Sequence, residues 1–247
     1  MNKQENIKTK VLNKGEVELI DYMGNDFSIL RSARVSTGGE AQKGDKQDRG
    51  LIRYLYKNQH MSPFEQSVFT FRIKAPHFVV KQLLRHRTFS FNEFSARYSE
   101  ALDEVYIPDV WRKQGEKNHQ GSGELFDEIK SREFSLIAEE LYAQIFEKYN
   151  YLISKGVSRE LARTIIPVSN FSIVYATVDL RNLLHFLELR MHNHAQEEIR
   201  EYAFAMYSII RNLEEFKWTL EIFEEETFSK EGYEDVEDYL KEVRYVK

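Results

Sequence analysis

Gln82-Leu83-Leu84-Arg85-His86-Arg87-Thr88-Phe89-Ser90-Phe91-Asn92-Glu93-Phe94-Ser95-Ala96-Arg97-Tyr98 gathers three arginines, a histidine and several hydroxyls into one short run. The only acids nearby are Glu93 and Glu100. Arginine forks match phosphate oxygens bidentately, and hydroxyls with backbone N–H groups complete an anion cradle. So little local acid points to a ligand carrying more than one negative charge. The plain alternative is a solvated basic loop making surface ion pairs, and composition alone does not separate the two.

Outward from this run the elements become readable. Val68 to Lys74 alternates, with Phe69, Phe71 and Ile73 on one side, and predicts a strand. Pro76 suits the first turn of the next helix, where its missing N–H costs nothing. That helix should bury Val79, Val80, Leu83 and Leu84 and carry Gln82, Arg85 and His86 at its C-terminal end. Thr88 to Glu100 reads as a loop. Upstream, Val11 to Met23 predicts a strand, and Asn25 or Asp26 caps a helix running to about Ser36. Thr37 to Asp48 reads as a flexible loop, followed by a helix with Leu51, Ile52, Leu55 and Tyr56 on one face. Gln59 to Pro63 is a turn.

Downstream, Gln114 to Glu124 is polar, contains glycine and reads as a mobile loop. Ser131 to Lys155 is the clearest helix, with Phe134, Ile137, Ala138, Leu141, Ile145 and Tyr149 at a 3.6 period and Gly156 as its stop. Ser158 caps a short helix carrying Arg159, Glu160 and Arg163, closed by Pro167. Asn170 to Val178 is extended. Asp179 to Arg190 and Ala195 to Leu213 are helices, the first burying Leu180, Leu183, Leu184 and Leu187. The elements mix without a βαβ rhythm, so the fold class is α+β. One domain covers residues 1–247, and the acidic stretch 225–247 reads as a C-terminal appendage.

Composition excludes several classes. The chain has 247 residues, enough for a sizeable core, and 13% aromatics argue against disorder. A net charge of −5 gives no support to coating a nucleic-acid polymer. Without cysteine there is no disulfide framework, thiolate metal site or cysteine nucleophile. No apolar run approaches the roughly 20 residues of a membrane span. Met1 to Lys10 lacks the apolar stretch of a secretory signal. The expectation is a soluble cytoplasmic protein that does not contact membrane.

Arg85-His86-Arg87, seven residues and then Ser95 resembles the signature of the flavin-dependent thymidylate synthases. The context is similar as well. His60-Met61-Ser62-Pro63-Phe64-Glu65 resembles the turn before the family's strand, and Ala75-Pro76 then Gln82 precede the signature. Arg159-Glu160-Leu161-Ala162-Arg163, Leu180 to Arg190 and His194-Ala195-Gln196 resemble further segments. The likeness spans about Val11 to Leu220. It implies a ThyX-like single domain, with a mixed or antiparallel sheet flanked by long helices. It implies reductive methylation of dUMP to dTMP, with 5,10-methylenetetrahydrofolate as carbon donor and NADPH as reductant through bound FAD. It also implies a homotetramer with active sites shared between subunits. The unrelated thymidylate synthase needs a cysteine nucleophile, which this chain lacks.

The resemblance carries roles to matching positions. Arg85, His86 and Arg87 match flavin contacts, as do Asp179, Leu180, Arg181 and His185. Ser62 matches a flavin contact donated by a neighbouring subunit. Gln82, Leu83, Leu84 and Arg85 match one dUMP-binding stretch; Glu93, Phe94, Ser95, Ala96 and Arg97 match another. Ser95 and Arg97 would hold the phosphate, and Glu93 would face both ligands. Arg163 matches a further dUMP contact. Arg190 matches the catalytic arginine that ionises uracil N3.

Other roles stay open at several positions. Ser95 could be read as a nucleophile, but no His–Asp pair adjoins it to activate it. Asp179 would equally cap a helix, and His185 could be a core histidine beside Phe186. Arg190 could simply be a cation at a helix C-terminus. Arg181 and Arg190 are nine residues apart, which at about 100° per residue places them on opposite sides of a straight helix. Either the helix ends before Arg190 or the two serve different pockets. His192-Asn193-His194 has no metal-site spacing, so no metal is expected. A hydrolase or phosphotransferase would need an acidic metal cluster or a Gly-rich phosphate loop, and neither is present. An RNA-binding module would use Phe89, Phe91 and Phe94 to stack on bases.

Overall fold

Alternation at residues 68–76 builds the centre of the sheet. The computed structural model describes residues 7–39, 42–115, 121–242 and 244–246. Its strands are β1 (Lys8–Val11), β2 (Gly15–Met23), β3 (Val68–Pro76), β4 (Ser90–Glu93), β5 (Arg112–Gln114), β6 (Ser122–Leu125), β7 (Phe171–Asp179) and β8 (Arg244–Val246). Six of them form one antiparallel sheet in the order β4-β7-β3-β2-β1-β8, while β5 and β6 form a separate ribbon. In β3 the inward residues Phe69, Phe71, Ile73 and Ala75 are fully buried. Gly15 opens β2 because a Cβ there would lie 2.0 Å from the Tyr202 hydroxyl and 2.6 Å from the Val11 carbonyl.

The helices are α1 (Asp26–Val35), α2 (Asp45–Lys57), α3 (His77–Leu83), α4 (Glu128–Ser154), α5 (Arg159–Ala162), α6 (Leu180–Met191), α7 (Glu197–Ile210), α8 (Lys217–Thr227) and α9 (Val236–Glu242). Asn25 caps α1 by accepting from the Ser28 N–H at 2.8 Å. The main core joins the sheet to α6 and α7, with Leu183, Leu187, Ile199, Ala203, Met206 and Ile209 fully buried. Tyr202 on α7 donates its hydroxyl to the Lys74 carbonyl at 2.7 Å, tying that helix to β3. Among the described residues no helix is long and apolar enough to cross a membrane.

Several expectations change. The loop expected at 37–48 is shortened, because α2 already begins at Asp45. Its first turn is held by Asp48, which is buried against Arg34 and accepts from the Lys43 N–H. The loop expected at 88–100 contains β4, an edge strand paired to β7 from Ser90↔Thr177 to Glu93↔Val174. The loop expected at 114–124 is bounded by the β5–β6 ribbon, held by Arg112 pairing with Glu197 and Glu198 on α7. Residues 40–41 and 116–120 of these two loops lie outside the described residues.

Leu84, expected inside, is 41% exposed at the end of α3. The long α4 exists, but its inner face is different. It buries Ser131, Ser135, Phe146 and Tyr149 and leaves Ile137 and Leu141 in the open. The reason is polar: Trp111 donates to the Ser135 hydroxyl from its indole and to the Ser131 hydroxyl from its backbone. The segment read as an appendage is docked. Tyr233 and Val236 are buried, Arg200 donates two hydrogen bonds to Asp235, and β8 pairs with β1.

Asp26 joins two helices. Its carboxylate, 5% exposed, accepts from the Trp218 and Thr219 N–H groups and the Thr219 hydroxyl, so it caps α8 from α1. Burial outweighs these bonds and raises its pKa to about 6. Asp26→Ala leaves the two helix N–H groups without that acceptor and should cost about 1–3 kcal/mol in urea unfolding. The folded pKa lies above the unfolded value, so this group's titration favours folding below pH 4. That contribution is lost as pH rises through about 6.

Candidate functional site

The edge pairing of β4 on β7 assembles a cavity of about 320 Å³. Glu93, Phe94, Ser95, Ala96 and Arg163 line it, all of them expected nucleotide residues from two distant stretches of chain. Glu93 accepts from the Ser172 hydroxyl at 2.8 Å, and His77 Nδ1 lies 3.4 Å from the same oxygen. The His77 contact, with Ser172 and the Arg163 charge, outweighs burial and holds the Glu93 carboxyl below its usual range. The Ser95 hydroxyl accepts from the Arg97 N–H at 3.3 Å, and no His–Asp pair adjoins it among the described residues. Arg97 is exposed, 3.8 Å from Glu160. A larger cavity of about 620 Å³, beside Thr9, Tyr106 and Arg112, holds none of the expected site residues.

A second group forms where α3 ends. Arg190 donates from Nε to His86 Nε2 at 3.0 Å. The His86 ring sits edge-on to Phe186 at 4.8 Å and near Phe89 at 6.1 Å. Burial, then the charge of Arg190, then His185 lower the His86 pKa from 6.5 to about 4. His86 is therefore neutral near pH 7, accepts at Nε2 and carries its proton on Nδ1. Phe89 is buried and stacks on Phe91 at 5.6 Å, so these rings are engaged inside the protein and not displayed for bases. Gln82 donates to Gln196 at 2.7 Å, linking α3 to the start of α7.

The third group surrounds the start of α6. Asp179 is its N-cap, accepting from the Asn182 N–H at 3.0 Å and the Asn182 side chain at 2.6 Å. Arg181 pairs with Glu65, in the 3-10 turn at Ser62–Gln66, and Ser62 is exposed on that turn. His185 is exposed one turn after Arg181, so it is not a core histidine. The side chains of Leu83 and Leu180 are buried in the core, which leaves only their main chain for a ligand. Helix α6 runs unbroken through Arg190, and its two arginines do point to different groups.

Arg85, Arg87 and Arg163 are exposed, and their side chains make no ion pair or hydrogen bond among the described residues, while Arg190 has no acidic partner there. Of the arginines in the run only Arg97 makes a surface ion pair among the described residues, with Glu160, so Arg85 and Arg87 are left for a multiply charged anion such as a phosphate or pyrophosphate. Among the described residues, no group of three or more His, Asp or Glu is placed to hold a metal. Sequence patterns missed His77, Asn170 and Ser172 in the cavity wall. The adjacency of His77 to Pro76 was legible; its approach to Glu93 depends on β4 pairing to β7.

The chain is similar to known proteins in sequence and fold. The family model described as "Thymidylate synthase complementing protein" matches residues 18–213. A flavin-dependent thymidylate synthase of Thermus thermophilus is 44% identical over 209 residues, 84% of this chain and 76% of that one. The chain belongs to the flavin-dependent thymidylate synthase family. The synthase of Thermosipho africanus is 43% identical over 215 residues, covering 87% and 92% of the two chains. Among solved structures, the UMP/dUMP methylase PolB of Streptomyces cacaoi bound with 5-Br dUMP superposes with a TM-score of 0.79. It is 37% identical, with 87% of this chain and 96% of that chain covered.

In this member of the family His86 should remain neutral well into acid. Its ring proton resonances should not titrate between about pH 7.5 and 5.5, as read by NMR. Arg190→Met removes one of the charges that disfavour protonation and should raise the midpoint, with burial still holding it below 6.5. Because the folded pKa is depressed, the stability contribution of His86 is full above pH 6.5 and lost as pH falls through about 4.

Proposed function

We propose that this chain converts dUMP to dTMP by reductive methylation. Methylenetetrahydrofolate would supply the carbon and NADPH the reducing equivalents through bound FAD. The observation that carries this reading is that Glu93, Phe94, Ser95, Ala96 and Arg163 line one cavity large enough for a mononucleotide. The likeness to a methylase bound with a dUMP analogue supports the same occupant. Ser95 and Arg97 would hold the phosphate, Arg163 would make a further contact to dUMP, and Gln82, Arg85 and the main chain of Leu83 and Leu84 would contact the same nucleotide.

Arg85, His86 and Arg87 would contact FAD, together with Asp179, Leu180, Arg181, His185 and a neighbouring subunit's Ser62. The unpaired cations at Arg85 and Arg87 suit its pyrophosphate. The flavin, when bound, supplies the hydride chemistry that side chains lack. Arg190 would do the electrostatic work on the substrate. Its Nε is fixed on His86, and its two Nη groups have no partner among the described residues. A fixed cation at uracil N3 favours the N3 anion, which makes C5 more nucleophilic. Arginine does this as a charge, not as a base. A neutral His86 leaves that charge uncompensated.

Arg190→Ala should keep the yellow FAD absorbance and lose about 10²–10³ in dTMP formation, the usual cost of removing one such donor. Near-normal turnover would contradict the assignment.

A homotetramer with shared sites accounts for two features. The expected residues fall into three separate groups within one chain, and α4 exposes Ile129, Ile137 and Leu141. Apolar side chains presented together on a helix suit contact with another copy. Ile137→Glu with Leu141→Glu should reduce the assembly to smaller species in light scattering and lower activity with it.

A further inference from the structure

His77 has no counterpart among the expected site residues, yet it lines the nucleotide cavity. Its placement is rigid. It is the first residue of α3, its N–H donates to the Asn170 carbonyl at 2.9 Å, and Pro76 before it pairs with Phe171. Its Nδ1 reaches to 3.4 Å from Glu93 Oε1. The Ser172 hydroxyl donates to that same oxygen at 2.8 Å, from a residue 1% exposed within β7. Oε2 of Glu93 has no hydrogen bond among the described residues. The Ser172 hydrogen bond and the His77 contact, arriving from two elements, hold the carboxylate through one oxygen and leave the other to accept.

We propose that His77 is a positioning residue: with Ser172 it clamps Oε1 of Glu93, so that Oε2 is presented as an acceptor to an N–H or O–H of the bound pyrimidine nucleotide. The inference rests on the nucleotide site proposed above. The electrostatics agree with the geometry. His77 is the largest of the influences on the Glu93 carboxyl, and with Ser172 and the Arg163 charge it keeps that group ionised to lower pH than usual. An ionised carboxylate accepts only, which is the state a ligand donor needs. His77 can donate from Nδ1 either as the neutral Nδ1–H tautomer or as the imidazolium.

The test is dUMP binding to the FAD-loaded protein as a function of pH, followed by calorimetry, for wild type, His77→Ala and His77→Asn. In His77→Ala the affinity should fall about tenfold near neutral pH, in line with loss of one hydrogen bond to a charged group. The acid limb of binding should move to higher pH, because Glu93 has lost a donor that holds its pKa down. Asparagine can place an N–H close to the position of Nδ1, so His77→Asn should restore most of the affinity and the original limb. FAD content should be the same in all three.

An unchanged acid limb and affinity in His77→Ala would overturn the proposal. So would an asparagine variant as weak as the alanine one. Should His77→Ala fail to fold, His77→Leu replaces it, and equal affinity in the leucine and asparagine variants overturns the proposal. A wild-type protein that holds FAD but binds no dUMP would instead overturn the nucleotide assignment, and the His77 role with it.

Discussion

The nine-residue antiparallel pairing of β3 with β7, from Val68↔Asp179 to Pro76↔Phe171, is the constraint on which the site depends. Each end of this ladder launches a helix. Pro76 ends β3 and starts α3, which carries Gln82 and, contrary to expectation, stops at Leu83, so that Arg85 and His86 follow in the turn beyond it. Asp179 ends β7 and caps α6, which delivers Arg181, His185 and Arg190. The two strands are antiparallel, so these helices leave from opposite ends. The 12 residues of α6 run back over about 18 Å, and its last turn meets the end of α3 at the His86–Arg190 contact. The free edge of β7 then takes β4, which carries Glu93 to Ser172 and His77. A register slip of one residue would turn every β7 side chain to the other face and disperse all of this.

Two populations of arginine divide the molecule. Arg34, Arg112 and Arg200 are largely buried, and each has its acid: Asp48, the pair Glu197 and Glu198, and Asp235. They hold α2, the β5–β6 ribbon and the C-terminal segment in place. Arg85, Arg87, Arg163 and Arg190 have no acidic partner among the described residues. Leaving cations without an acid forgoes the ion-pair stabilisation that the buried arginines have in the free protein. It is also what lets an anionic ligand bind without first displacing an internal partner. The protein avoids a further positive charge by holding His86 neutral through burial and the Arg190 contact.

Much of the fold was legible because periodicity is local. The alternation of 68–74, the apolar stripe of α7 and the caps at Asn25 and Asp179 all act within one element. What failed was decided between elements. Nothing in Ser90 to Glu93 announces a strand until β7 is beside it. The α4 face departs from its apolar period because Ser131 and Ser135 are inward for the sake of Trp111, while Ile137 and Leu141 point out. Hydrophobicity alone ranks those residues the other way. The site followed the same rule. The Arg85 to Arg97 run named its own members through resemblance, and the nine-residue spacing of Arg181 and Arg190 foretold their divergence. His77 and Ser172 carry no motif, and only the sheet brings them to Glu93.

With a bound flavin, this chain is proposed to activate C5 of dUMP for methylation. Tritium release from C5-labelled dUMP tests it most directly, with FAD, NADPH and methylenetetrahydrofolate present together and each then omitted in turn. Release is expected with the full mixture, accompanied by dTMP, with loss of dTMP when NADPH or methylenetetrahydrofolate is missing or when the flavin-free protein is used without added FAD. No release with the full mixture, from a folded protein loaded with FAD, would contradict it.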